Sequence, residues 1–239
     1  HKTLIICLFV YLFKREITVK ESVFGFDYAK AWDYENGFYL TSHPKRLNKA
    51  IAHYEIYRKI VNLPGQVVEC GVFKGASLIR LATFREMLES PFSREIIGFD
   101  VFGKFPSVED TDDTNFIEKF EGQGGEGIAV EELEKVLGMK GFDNISLIKG
   151  NIFDTIPDYL EEHPEFKISL LHIDVDVYEP SRFILETLFE RVVSGGVIVF
   201  DDYGTVAGET RAVDEYLEAK DYQVQKLPIS HIPAFVLKK

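Results

Sequence analysis

Four aspartates sit in two similar contexts, His172-Ile173-Asp174-Val175-Asp176 and Val199-Phe200-Asp201-Asp202-Tyr203. Each context is an apolar run that ends in carboxylates, as a buried strand does where it reaches the edge of a sheet. If the two strands are neighbours, Asp174, Asp201 and Asp202 converge. Like charges held that close need protons or a cation to offset them. An all-oxygen site with room for water suits Mg²⁺ or a similarly hard divalent ion, not zinc. The plainer alternative is capping, since Asp202 precedes a turn and Asp176 lies just before a helix opening near Pro180. Capping accounts for one aspartate at a time. Three carboxylates at two adjoining strand ends favour the metal.

A second group of residues lies upstream. Glu69-Cys70-Gly71-Val72-Phe73-Lys74-Gly75 follows the apolar run Gln66–Cys70 with the spacing E-x-G-x-x-x-G. Gly71 and Gly75 allow a sharp turn and close approach of backbone to a ligand. Neither the G-x-G-x-x-G of dinucleotide sites nor a G-x-x-x-x-G-K-[ST] phosphate loop is present. Glu69, two residues before the first glycine, suits a ligand with a cationic group and would repel a pyrophosphate. S-adenosylmethionine, with its ammonium and sulfonium, therefore fits better than NAD. Asp100 ends the next apolar run, where an acidic side chain accepts hydrogen bonds from ribose hydroxyls.

The elements that must position these groups alternate. Apolar runs at Gln66–Cys70, Glu95–Asp100, Ile145–Lys149, Ile168–Asp174 and Val197–Asp201 are separated by helical patterns at Ala76–Leu88, Val130–Leu137, Ser181–Val192 and Thr210–Lys220. That order predicts an α/β fold: a mostly parallel, doubly wound, Rossmann-like sheet covered on both faces. A further helical pattern, with Leu47, Ile51, Tyr54, Tyr57 and Ile60 on one face, runs from 44 to 62 and stops at Pro64-Gly65. The reading divides the chain into an N-terminal helical and apolar extension, 1–62, for packing, lid or dimer contacts, and a catalytic domain, 63–239. The stretch Phe102–Phe142, with its acidic run Glu109–Asp113 and glycine-rich Gly122–Gly125, reads either as a lid or as a solvated loop. Asn36–Ser42 is a second candidate cover for the cofactor.

Composition sets the outer limits. With 46% hydrophobic residues, 20 Phe and 11 Tyr, the 239-residue chain can bury a large core. A net charge of −12 argues against binding to nucleic acid through its phosphates. Two cysteines, Cys7 and Cys70, make no disulfide framework and point to a reducing, cytoplasmic setting. The apolar run Leu4–Phe13 falls short of the roughly 20 residues a spanning helix needs, so it is expected to pack on the core or on a second copy of the chain. His172, within a strand, is expected to be a packed, hydrogen-bonded histidine; no local pattern singles out His43, His53 or His231.

Taken together, Glu69–Gly75, Gly98–Phe102, Leu170–Pro180, Phe200–Gly204 and Thr210–Tyr216 resemble the macrocin O-methyltransferase family over roughly residues 35–220. The resemblance implies a class I methyltransferase fold and O-methylation of a sugar hydroxyl on a glycan, nucleotide sugar or natural product. It implies S-adenosylmethionine at Glu69, Gly71, Gly75 and Ser77, with Asp100 on the ribose and Gly150, Asn151 and Ile152 beside the adenine. It also implies Mg²⁺ held by Asp174, Asp201 and Asp202, with Asp176 as the base and Asp174 as the alternative. Two departures stand out: Val175 where many members have Gly, and an ending, Ile229–Lys239, that is not Trp-rich. A catalytically silent scaffold and an NAD-binding oxidoreductase are the rival classes. The first is disfavoured by the intact aspartates, the second by Glu69 and the missing dinucleotide motif.

Overall fold

A computed structural model of the chain describes residues 22–106 and 110–239. The apolar run Leu4–Phe13, with Cys7, and Glu109 of the acidic run lie outside the described residues. The chain divides into two units, 1–42 and 43–239. The described part of the first holds paired two-residue strands, Ser22–Val23 and Phe26–Asp27, and the helix α1, Ala31–Thr41, which contains most of the Asn36–Ser42 segment.

The second unit opens with α2, Pro44–Tyr57, capped by the His43 side chain, with Pro44 in the first turn where no backbone N–H is needed. Five strands and the helices after them follow in order: β1 (Gln66–Cys70), α3 (Ala76–Leu88), β2 (Ile96–Asp100), α4 (Thr111–Gly124), α5 (Val130–Lys140), β3 (Ile145–Lys149), α6 (Ile152–Glu162), β4 (Ile168–Ile173), α7 (Tyr178–Leu188), β5 (Val192–Phe200) and α8 (Ala207–Leu217). Two strands close the sheet, β6 (Gln225–Lys226) and β7 (Ala234–Leu237). The spatial order is β3-β2-β1-β4-β5-β7-β6, parallel from β1 to β5 and antiparallel at β7 and β6.

Side-chain alternation explains how the sheet is buried. Val68, Cys70, Leu171, Ile173, Ile198 and Phe200 belong to one apolar cluster, while Val67, Leu170, Val197 and Val199 belong to the other. Successive residues of a strand therefore feed opposite faces, and helices cover both. The register pairs Cys70 with Phe99 and Ile173, and Ile173 with Phe200, so the carboxyl ends of four strands finish level along one edge. Strand order reverses between β2-β1 and β4, the place where such sheets bind ligands.

The sequence reading omits α4, α6 and the final strand pair. Asp110 starts α4 by accepting hydrogen bonds from the backbone N–H groups of Asp112 and Asp113, at 2.9 and 3.2 Å. Its glycines come at the far end, where Gly125 (φ 71°) terminates the helix. Pro157 lies inside α6, which masks the helical pattern there. Among the described residues no helix is long and apolar enough to cross a membrane.

Arg94 ties the connection after α2 to the sheet. Its guanidinium, buried, donates to Glu89 (2.6 Å), to Ser169 Oγ (2.5 Å) and to the carbonyls of Ile60, Leu63 and Gly65 at 3.0–3.1 Å. Tyr57 donates to the other Glu89 oxygen at 2.7 Å. Removing one partner leaves a buried carboxylate without its counter-charge, so Arg94→Ala is expected to cost about 3–5 kcal/mol. Urea unfolding of the two proteins measures this, and a difference below about 1 kcal/mol would show that water replaces the guanidinium without loss.

Candidate active site

The level strand ends open onto one cavity of about 550 Å³. Its near wall is the turn after β1. Gly71 there has φ 87°, and a Cβ at this position would drive into the carbonyl oxygen of Asp174. Asp100 builds the same turn: Oδ2 accepts from the backbone N–H groups of Val72 (2.6 Å) and Phe73 (3.0 Å), and Oδ1 from Phe102 (2.5 Å). A carboxylate has about four acceptor positions, so Asp100, which lines the cavity, can still accept from a ligand. Ser77, Asn151 and Ile152 line it too. Gly75 starts α3 at φ 78° with Leu133 against its open side. Gly150 anchors the turn after β3 through its N–H to the Asp100 carbonyl, 2.9 Å away, and stands behind the lining.

Beside the turn after β1, Asp174, Asp201 and Asp202 each offer an oxygen, and the three oxygens lie within 4.8 Å of one another. Parallel pairing of β4 with β5 causes this, because Ile173 and Phe200 are register partners and each strand releases its carboxylates just beyond. Asp176 joins them at φ 64°, a left-handed conformation uncommon for any residue but glycine. Burial, then the charge and hydrogen bond of Asp202, pushes Asp176 up to about 8. Burial and the charge of Asp201 raise Asp174 well above the carboxylate range, and the same two causes raise Asp202.

Asp201 differs. Burial opposes its ionisation, yet hydrogen bonds from His172 and His53, with the charges of His172 and Lys49, hold it well below the usual range. Lys49 Nζ donates to Oδ2, while His53 Nε2 and His172 Nε2 both lie 3.3 Å from Oδ1. His172 Nδ1 reaches Glu69 Oε1 at 2.9 Å. Burial alone would neutralise His172, but its hydrogen bonds to Asp201 and Glu69 raise its pKa well above the ordinary value, so it bridges both as a cation. Burial lowers His53 to about 4, so it donates as a neutral ring.

The charges of Glu69 and Asp201 are thus matched by those of His172 and Lys49. Asp174 and Asp202 have no ion pair among the described residues, and a divalent cation would balance them.

Glu69, like Gly75 and Gly150, is expected at the cofactor but does not line the cavity. It is fully buried, and Oε2 has no hydrogen-bond partner among the described residues. Strand period explains the placement: Glu69 follows Val67 onto the face under α2, where His172 follows Leu170.

A family model for the macrocin O-methyltransferases matches residues 41–236. The chain belongs to that family. Among macrocin O-methyltransferase relatives and neighbours, an 8-demethyl-8-(2,3-dimethoxy-α-L-rhamnosyl)-tetracenomycin-C 4′-O-methyltransferase from Streptomyces olivaceus is 27% identical over 148 residues, 59% of this chain and 54% of that protein. A demethyldecarbamoylnovobiocin O-methyltransferase from Streptomyces niveus is 27% identical over 161 residues, 65% of this chain and 59% of that one. The chain thus spans under two thirds of the length of these curated relatives. The crystal structure of the calicheamicin methyltransferase CalS11 superposes with a TM-score of 0.71 at 25% identity, covering 86% of this chain and 84% of that one.

Sequence reasoning missed Lys49, His53 and Glu209. The first two stand on α2 at i and i+4, a spacing that shares one helix face, but nothing local aims that face at Asp201. Glu209, fully buried in the first turn of α8, accepts from the Asp202 N–H (2.9 Å) and donates its own backbone N–H to the Asp176 carbonyl (3.0 Å). Burial raises its pKa well above the carboxylate range. It ties the two acidic loops together.

Gly71→Ala combines a positive φ with a backbone clash and is expected to cost about 3 kcal/mol or more. Calorimetric melting tests this, and a Tm within about a degree of the native value would mean that the turn yields easily.

Proposed function

We propose that the chain is an S-adenosylmethionine- and Mg²⁺-dependent O-methyltransferase acting on a hydroxyl of a sugar, free, nucleotide-linked or carried by a glycosylated natural product. The observation behind this reading is that Gly71 and Asp100 line the same cavity as Asp174, Asp201 and Asp202. A rhamnosyl-tetracenomycin in one relative's name supports the sugar class.

The residues fit both groups. Asp100 retains acceptor capacity for ribose hydroxyls, and Asn151, Ile152, Ser77 and the Gly71 turn line the cavity where they would hold the adenine and the methionine portion. Asp174, Asp201 and Asp202 would hold Mg²⁺, Asp174 and Asp202 having no ion pair among the described residues. S-adenosylmethionine supplies an electrophilic methyl, and the divalent ion supplies charge that lowers the acceptor hydroxyl's pKa. Asp176, which lines the cavity beside Asp202, would take the hydroxyl proton, since a cation held by Asp174, Asp201 and Asp202 would offset the neighbouring charge that raises it. Phe105, Phe116 and Phe120, from the stretch between β2 and α5, line the same cavity and give it an apolar side. The setting we propose is reducing and cytoplasmic, in keeping with a free, buried Cys70.

Titration calorimetry with S-adenosylhomocysteine is expected to give binding that Asp100→Ala weakens, and a folded protein that binds none would end the methyltransferase reading. Methyl transfer to a panel of sugar acceptors is expected to stop in EDTA and return with Mg²⁺; full activity in chelator would remove the metal. Asp176→Asn is expected to lower kcat by about 10²–10⁴, and an unchanged kcat would shift the base to another residue.

A further inference from the structure

Burying a guanidinium is costly unless its donors are used. Arg94 meets that condition, and Arg85 meets it with every donor nitrogen but Nε. Arg85, fully buried on α3, donates to the carbonyls of Arg94, Asn144 and Asp143. Arg94 is spent on Glu89 and its neighbours.

Arg80 is different. It stands on α3 three residues after Ser77, which puts both on one helix face, and both line the cavity. Arg80 makes no hydrogen bond or ion pair with any described residue. Attraction from Asp201, Glu69 and Asp174 reaches it through space, but its five N–H donors stay unused. Burial pushes its pKa down, yet a guanidinium stays charged in a protein. Arg46, on α2, is exposed where Arg80 is half-buried; it lines the same cavity, makes no side-chain bond to a described residue, and repels Arg80. Lys49, the cation between them in sequence, is committed to Asp201.

Two guanidinium groups that line one cavity, with no partner among the described residues, can both turn their donors to an anion bound there. We infer that Arg80 and Arg46 form an anion subsite, which takes the paired oxygens of a carboxylate or phosphate on a bound small molecule. Guanidinium groups suit that role because the planar fork matches both oxyanions. The inference rests on the methyltransferase reading for its two sources of the anion. One is the carboxylate of the cofactor's methionine portion; the other is a phosphate or carboxylate on the acceptor.

Calorimetry in EDTA with three probes separates these outcomes: S-adenosylhomocysteine, 5′-methylthioadenosine (which lacks the carboxylate) and inorganic pyrophosphate. Wild type, Arg80→Gln, Arg46→Gln and Arg80→Lys are compared after their circular dichroism and melting confirm folding. The expected effect of Arg80→Gln is a loss of roughly 10- to 100-fold for the anionic probe, with Arg80→Lys recovering part of it. Loss for S-adenosylhomocysteine with 5′-methylthioadenosine unchanged supports the subsite and assigns it to the cofactor. Loss for pyrophosphate with S-adenosylhomocysteine unchanged supports it and assigns it to the acceptor. If wild type binds both nucleosides but neither glutamine variant changes any probe, the subsite is overturned while the methyltransferase reading survives. If wild type binds neither nucleoside, that reading fails, and the pyrophosphate titration alone then upholds or overturns the subsite.

Discussion

The fold at the carboxyl edge of the sheet depends on keeping Asp201 ionised while it is 3% exposed. Isolated charges do not persist in such places; they are paired or they take up a proton. Lys49 and His53 from α2 and His172 from β4 supply the pairing, and His172 passes it on to Glu69 of β1. One continuous polar chain therefore joins α2, β5, β4 and β1 beneath the cavity. It fixes which face of α2 meets the sheet, a choice that apolar contacts alone leave loosely determined. The same chain commits Lys49 and His172 to Asp201 and Glu69. Asp174, Asp176 and Asp202 are left as a separate acidic group that lines the cavity and makes no ion pair among the described residues.

Much of this architecture was legible because a parallel α/β sheet writes itself locally. Each buried strand is a short apolar run, and each ends where a polar residue meets the edge. Asp174, Asp201 and Asp202 could thus be brought together from sequence, given only that β4 and β5 adjoin. The environment of Glu69 was not legible in that way. Its partner lies 103 residues away, and the decisive fact is the face to which the strand turns it, under a helix whose orientation the sequence leaves open. Arg80 and Glu209 were hidden for a similar reason, since a charged residue on a helix reads as solvated until the neighbouring element is placed. The helix α4 was masked by glycines at its end, and α6 by Pro157 in its interior.

Asp100 shows how one side chain can serve structure and ligand together. Three backbone N–H groups from the turns after β1 and β2 converge on it, so the carboxylate shapes the wall it also occupies. Any ligand that accepts this wall meets a side chain already oriented, and little freedom remains to be lost on binding. The phenylalanines from the stretch between β2 and α5 extend the wall with apolar surface.

The antiparallel strand β7 has a practical consequence. Because it runs against β5, it carries the chain away from the cavity, and Lys238 exchanges backbone hydrogen bonds with Gly195 and Gly196 at the amino end of the sheet, each 2.8 Å long. A fluorophore, sensor surface or affinity handle attached at Lys239 would stand on the opposite rim from the ligand mouth. The molecule can be tethered there and still present an unobstructed opening to whatever is brought to it.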